Sequence, residues 1–263
     1  MATMEPVKAR GEDEVGRAVG HVTAAVERAR ESRAPFLHIR FEDIFPPDLY
    51  ARMLETMPQG GQYRRMSGRA VTDVRTKLDL FPEWIRQLPP ESRPVWRVVG
   101  EVLTAPPVRD AFMRRLAPRI KQRFGSDSVG LYAVPILTRD IAGYSIGIHP
   151  DTRWKGITVQ IYLPRDRSIE HVGTVFHEKA GDGYRASVRM PFWPNSGYAF
   201  AVGEDTYHSV DPVGPEVRTR DSIILTYFVD RTLLEIAQNR WKRFGNYLLA
   251  GARGAARLVR AAP

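Results

Sequence analysis

Two short polar stretches of this sequence combine residue types that can bind a metal ion. The first contains His149 and Asp151, and the second contains His208. On an extended chain, side chains two residues apart point to the same side, so His149 and Asp151 can both reach one ion. Two neutral imidazoles and one carboxylate, with coordination positions left open, are the ligands of a non-haem Fe(II) centre. A His-x-Asp tripeptide taken alone, however, more often marks a capped turn.

The residues between and after these stretches add strand patterns that carry further polar groups. Residues 157–163 alternate apolar and polar side chains, which indicates a strand with two different faces. Residues 220–228 form another strand pattern, on which Arg220 and Ser222 share one face. An arginine in a metal pocket can bind a carboxylate through two parallel charge-assisted hydrogen bonds. The pattern therefore predicts a carboxylate-bearing co-substrate beside the metal.

The order of these motifs resembles that of the iron- and 2-oxoglutarate-dependent dioxygenases, and most closely their prolyl-hydroxylase-like branch. The likeness rests on the His-x-Asp, the His-x-Val and the Arg-x-Ser, and it covers residues 131–228. It implies that His149, Asp151 and His208 bind Fe(II), and that 2-oxoglutarate and O2 are co-substrates.

The same resemblance implies which residues bind the distal carboxylate of 2-oxoglutarate. Arg220 is the expected anchor, together with Ser222 and with Tyr162 on the strand that follows the His-x-Asp. Arg218 lies on the same face as Arg220 and is the alternative anchor. We favour Arg220 because the Arg-x-Ser-Ile run is the better match.

The reaction expected from the resemblance is oxidation of a substrate C–H bond, coupled to conversion of 2-oxoglutarate to succinate and CO2. Asp151 favours hydroxylation, since halogenases of this family lack the carboxylate ligand; desaturation, epimerisation and ring formation stay open. The first-choice substrate is a small metabolite in a biosynthetic tailoring pathway. A peptidyl or prolyl hydroxylase is one alternative, and a non-catalytic cupin-like binding protein is another.

The amino-acid composition excludes several classes of protein and of active site. The chain of 263 residues is 43% hydrophobic, enough for a sizeable core. It has no cysteine, which excludes disulfides, thiolate metal sites and a cysteine nucleophile. The sequence shows no apolar signal-peptide core and no apolar run that could span a bilayer, so we expect a cytoplasmic protein.

The net charge of +9 is concentrated in the last part of the chain. Residues 231–263 contain seven basic residues and one acidic residue, Glu235. We expect an amphipathic helix there, with its apolar side chains packed on the body and its basic face in solvent. We favour this over binding to a membrane or to nucleic acid, and no nucleic-acid partner is expected. The apolar set expected to pack comprises Leu233, Leu234, Ile236, Ala237, Trp241, Phe244, Leu248 and Leu249.

The secondary structure predicted around these residues changes from mainly helices to mainly strands near residue 128. Residues 12–31 and 82–125 show helical patterns, whereas six segments between 131 and 228 show strand patterns. The sequence therefore predicts an α+β protein built on a double-stranded β-helix, a jelly-roll or cupin-like core, with N-terminal helices on one sheet. We expect one oxygenase domain with a mainly helical part (1–127), the jelly-roll core (128–230) and a basic C-terminal helix (231–263).

The alternation in residues 157–163 also predicts what each face of that strand contacts. Thr158, Gln160 and Tyr162 are expected to line the site, and the apolar residues between them to pack on the helices. Residues 63–81 are a candidate lid over the substrate.

Overall fold

The computed structural model describes residues 7–66 and 74–261. Prolines stand in the first turn of α2 to α6, where the missing N–H costs no helical hydrogen bond. They divide residues 82–125 into four short helices. The helices are α1 Val7–Glu27, α2 Pro47–Glu55, α3 Pro82–Ile85, α4 Arg93–Thr104, α5 Pro106–Arg115, α6 Ala117–Phe124 and α7 Leu233–Ala261.

Two antiparallel sheets form the β core. The large sheet has the order β1-β2-β10-β7-β12-β5-β4-β3, and the small sheet has the order β6-β11-β8-β9. The strands are β1 Arg30–Ser32, β2 His38–Phe41, β3 Arg64–Arg65, β4 Arg75–Asp79, β5 Leu131–Asp140, β6 Ile146–His149, β7 Lys155–Tyr162, β8 Val175–Ala180, β9 Gly183–Arg189, β10 Ser196–Ala201, β11 His208–Val210 and β12 Arg220–Val229.

The central strand β7 separates two apolar clusters. Val159 and Ile161 belong to the larger cluster, which joins one face of the large sheet to the helices. Tyr162 belongs to the smaller cluster, where Phe176 of β8 and Tyr198 of β10 meet between the two sheets. The predicted orientation of β7 is therefore confirmed, because alternate side chains of a strand point to opposite faces.

Several strands were not predicted from the sequence. β1 and β3 have three and two residues, and β11 has three, so none of them is long enough to show a periodic pattern. The strand β9 is exposed along most of its length, and its alternation of Tyr184, Ala186 and Val188 with polar residues was overlooked. Together with the strands β2 and β4, which lie in segments with strand patterns, β1 and β3 bring the N-terminal contribution to the large sheet to four strands. Of the candidate lid, residues 67–73 lie outside the described residues.

The C-terminal helix α7 packs through a different face from the one expected. Leu234, Trp241 and Leu248 are 68%, 74% and 55% exposed, whereas Asn239 is buried. The expectation that the apolar side chains of this helix cover the body was therefore wrong. None of the helices in the described ranges is long and apolar enough to cross a membrane.

Candidate metal centre

The two histidines are brought together by direct strand pairing. β6 and β11 are antiparallel neighbours, and His149 lies opposite His208 in their register. Residues paired in this way have neighbouring side chains on one face, and the two ring centroids are 4.5 Å apart. Asp151 follows two residues after the end of β6. One ligand atom from each of the three side chains lies within 4.8 Å of the others, close enough to share one ion.

Each imidazole is oriented by a backbone carbonyl. The Nδ1 of His149 lies 2.8 Å from the oxygen of Gly147, and the Nδ1 of His208 lies 3.0 Å from the oxygen of Thr206. A carbonyl can only accept, so each Nδ1 carries a proton, and Nε2 is the nitrogen left to bind a metal ion. This is the arrangement that metal-binding histidines adopt. Burial also lowers the pKa of His208 to about 4, although the Asp151 carboxylate opposes the shift, so His208 is neutral at pH 7.

The carboxylate of Asp151 is held from both sides. Thr158 donates a hydrogen bond of 2.6 Å to Oδ2, and the Lys155 ammonium bonds Oδ1. Burial alone would raise the pKa of Asp151, but Lys155, His208 and these hydrogen bonds outweigh it and lower the pKa to about 2. Both partners come from β7, so the large sheet fixes the ligand that lies between the two sheets.

A cavity of about 560 Å³ contains these three residues and the side chain of Arg220. Arg220 is 1% exposed and belongs to a chain of charges across three neighbouring strands. In the sheet register Asp140 of β5 pairs with both Arg75 of β4 and Arg220 of β12. The Asp140 carboxylate accepts from Arg75 Nε at 2.7 Å and from Arg220 Nη1 at 2.8 Å. The buried guanidinium is thereby held beside the metal ligands.

Three side-chain donors on the wall of this cavity have no hydrogen-bond partner among the described residues. One is the hydroxyl of Thr152, and the other two are Nη2 of Arg220 and the hydroxyl of Tyr144. The other donors of Arg220 are used, since its Nε donates to the oxygen of Val172 at 2.7 Å. A buried donor without a partner is costly, and native structures rarely leave one. A carboxylate can accept hydrogen bonds from such donors, so the cavity fits an anionic co-substrate as well as a metal ion.

Tyr162 and Ser222, the other two residues expected to bind the co-substrate, do not line this cavity. Tyr162 donates to Oγ1 of Thr174 at 3.0 Å, and Ser222 contacts Thr138 and Gln160 through its hydroxyl. Both are fully buried and outside the cavity lining.

Thr174 does line the cavity, and its Oγ1 accepts from both Tyr162 and Tyr198. Its own proton therefore remains to be donated into the cavity. Tyr162 thus acts on the cavity through Thr174 and through Arg220, whose Cζ lies 5.8 Å from the centroid of the Tyr162 ring.

The rival arginine, Arg218, is exposed and lies outside the cavity. Sequence reasoning missed Tyr144 and Asp140. Tyr144 precedes β6, and its position belongs to no periodic pattern. Asp140 could have been found from its place at the end of a predicted strand, but its partners depend on the pairing of that strand.

Comparisons with known proteins show the fold. No protein-family model and no curated protein matches the sequence. A solved prolyl-4-hydroxylase from Pseudomonas putida is 14% identical with a TM-score of 0.51, over 80% of this chain and 99% of that one. A prolyl hydroxylase from Trichoplax adhaerens, in complex with a hypoxia inducible factor oxygen degradation domain peptide fragment, is 12% identical with a TM-score of 0.51, over 86% and 94%. The fold expected from the motifs is confirmed.

Proposed function

We propose that the protein is an Fe(II)- and 2-oxoglutarate-dependent oxygenase that oxidises a C–H bond of a small metabolite in a biosynthetic tailoring pathway. Succinate and CO2 are the expected co-products, and hydroxylation is the expected outcome. One observation carries the proposal: two oriented imidazoles, a carboxylate and a buried guanidinium with a free donor line one cavity. This combination matches the needs of a ferrous ion and a keto dicarboxylate together.

Each residue of the cavity has a defined task in this proposal. His149 and His208 offer Nε2 lone pairs, and Asp151 offers one carboxylate oxygen while Thr158 keeps the group oriented. A ferrous ion bound there would supply the activation of O2. Arg220 orients the distal carboxylate of 2-oxoglutarate through Nη2.

Three further residues support this co-substrate site. The hydroxyls of Tyr144 and Thr174 add donors beside Arg220, and Tyr162 acts by orienting Thr174. We keep Ser222 as a residue that positions Gln160 on the cavity wall, since it accepts from Gln160 Nε2 at 2.6 Å.

A second cavity of about 770 Å³ supports a small-molecule substrate. It adjoins the first and shares Pro150 and Asp151 with it, so a molecule bound there would lie next to the metal ligands. Two of its arginines are already paired, Arg119 with Asp205 and Arg153 with Glu204 at 2.9 Å. We assign the oxidised substrate to this cavity, because the other one holds the donors suited to 2-oxoglutarate.

A peptidyl or prolyl hydroxylase is the second candidate. The two solved structures described above are prolyl hydroxylases, and one of them was solved with a peptide fragment. A screen of proline-containing peptides beside small metabolites, with succinate release as the readout, separates the two. Succinate release that depends on a peptide and on none of the metabolites would favour the second candidate.

The experiment that tests the metal chemistry needs no knowledge of the substrate. We expect anaerobic addition of Fe(II) and 2-oxoglutarate to give a weak visible charge-transfer band. His149→Ala and Asp151→Ala should abolish it, whereas His171→Ala should retain it, because His171 is exposed and lies outside the cavity. A wild-type protein without the band would contradict the proposal and favour the cupin-like binding protein.

A further inference from the structure

One face of α7 exposes large apolar side chains to solvent. Leu234, Trp241, Phe244 and Leu248 are each between 51% and 74% exposed. Their spacing of seven, three and four residues places them along one side of the helix, which we call the outer face. Scattered exposed apolar residues are normal, but a continuous apolar stripe marks a surface that contacts something else.

The opposite face of α7 docks on the body through polar groups. Arg243 pairs with the nearly buried Glu83, with 2.6 Å between Nη2 and Oε2, and Asn239 Nδ2 donates to the oxygen of Val229 at 3.0 Å. Arg253 Nη2 donates to the oxygen of Tyr63 at 2.8 Å. A surface helix ordinarily buries its apolar face against the core. In α7 the polar face contacts the body instead, so packing on the body does not explain the apolar residues of the outer face.

The charges of α7 indicate what covers the outer face. The helix has six basic residues and one acidic residue, Glu235. Arg240 and Lys242 flank the outer face, and both are exposed. Arg240 pairs with Asp230 of the body at 3.3 Å. A second copy of α7 packed on this face would still bring the basic residues of the two helices together, because Glu235 is the one acidic residue of α7, and paired helices need complementary flanking charges. An anionic surface is the complementary partner.

We infer that the outer face of α7 binds a membrane surface that contains anionic lipids, with the helix lying in the plane of the interface. A basic helix with Trp, Phe and Leu on one side has the composition of helices that bind in this way. The apolar side chains would enter the boundary between headgroups and acyl chains, and Arg240 and Lys242 would lie at the level of the lipid phosphates. This inference does not depend on the proposed oxygenase activity.

The position of α7 places such a membrane close to the metal cavity. Trp154 lines the cavity and is 59% exposed. The ammonium of Lys242 lies 5.8 Å from the ring centroid of Trp154, within the range of a cation–π contact. The helix proposed to bind lipid therefore borders the mouth of the cavity.

Vesicle sedimentation of the full chain tests the inference. We expect the protein to sediment with phosphatidylcholine vesicles that contain phosphatidylglycerol, to bind pure phosphatidylcholine far less, and to be released by high salt. The double variant Trp241→Ser/Leu248→Ser should bind at least about tenfold more weakly, because two large apolar groups no longer enter the bilayer. Ile141→Ser, at an apolar residue exposed to 41% away from α7, should bind as the wild type does.

Three results would overturn the inference. The first is a wild-type protein that stays in the supernatant with vesicles containing phosphatidylglycerol. The second is a double variant whose thermal unfolding and vesicle binding both match those of the wild type. The third is a wild-type dimer, seen by light scattering, that ignores vesicles and that the double variant dissociates, since this would make a second copy the occupant of the outer face.

Discussion

Removal of the Arg220 guanidinium is the most informative single change in the cavity. Its free Nη2 is the group proposed to bind the distal carboxylate of 2-oxoglutarate. Truncation of one partner of a buried charged pair costs about 2–5 kcal/mol, which corresponds to about 30-fold to about 4,000-fold in affinity. We therefore expect Arg220→Ala to raise the Kd for 2-oxoglutarate by a factor within that range.

The same change must leave a folded protein for the measurement to be informative. Arg220 also pairs with Asp140, but Arg75 keeps two hydrogen bonds to that carboxylate, at 2.7 Å and 3.2 Å. Asp140 thus retains a counter-charge in the variant. The loss of stability should stay below the roughly 3–5 kcal/mol that a stranded buried charge costs. Thermal unfolding of the variant checks this point before any binding is measured.

Anaerobic calorimetric titration of 2-oxoglutarate into the Fe(II)-loaded protein measures the effect without a substrate. Arg218→Ala is the matched control, because this arginine is two residues away and exposed. Exposed charges contribute about 0–1 kcal/mol, so the control should change the Kd by less than about fivefold. An Arg218→Ala variant that loses as much affinity as Arg220→Ala, or more, would refute the assignment of the anchor.

Three further predictions concern other parts of the same core. Tyr144→Phe should weaken 2-oxoglutarate binding by about tenfold to about 100-fold, the value of one hydrogen bond to a charged group. Its melting temperature should not fall, because the hydroxyl removed has no partner in the described chain; unchanged calorimetric affinity would refute the role of Tyr144. Thr158→Val should lower Fe(II) affinity by about tenfold to about 100-fold through the loss of its bond to Asp151, measured by competition with a chelator; equal retention of iron by the two proteins would contradict this. Gly197→Ala should destabilise the protein by about 1–3 kcal/mol in denaturant unfolding, since an added Cβ would overlap the backbone of β7. Gly20→Ala, at an exposed helical position with open space around it, should instead raise the free energy of unfolding by about 0.5–1 kcal/mol. A Gly197→Ala variant as stable as the wild type would contradict the predicted overlap with β7.

The parts of the site that follow from local spacing were predictable from the sequence. On β7 the period of two decides which side chains face the cavity, so Thr158 and Gln160 could be separated from Val159 and Ile161 before the fold was known. The structure places the first pair on the cavity wall and the second against the helices. The same reasoning put His149 and Asp151 on one side of the chain.

The parts of the site that depend on strand pairing were not predictable. Asp140 reaches Arg75 and Arg220 only because β4, β5 and β12 are neighbours in one register. Arg75 is 65 residues away from Asp140 along the chain, and no local pattern relates the two. Tyr144 is close to β6 in the sequence, but its hydroxyl matters only beside the arginine pair. A one-residue shift in any of these pairings would turn the groups to the other face.

The orientation of the helix α7 was likewise not predictable from the sequence. The sequence defines the apolar stripe of this helix but not the surface that the stripe meets. Here the body offers Glu83, a nearly buried carboxylate on α3, and a buried charge is costly without a partner. Arg243 supplies that partner, and its position on the helix fixes which face turns inward. Packing the apolar stripe on the body would instead leave the buried carboxylate of Glu83 without a partner. The stripe therefore faces outward, and its basic flanks favour a lipid surface as the apolar phase that it contacts.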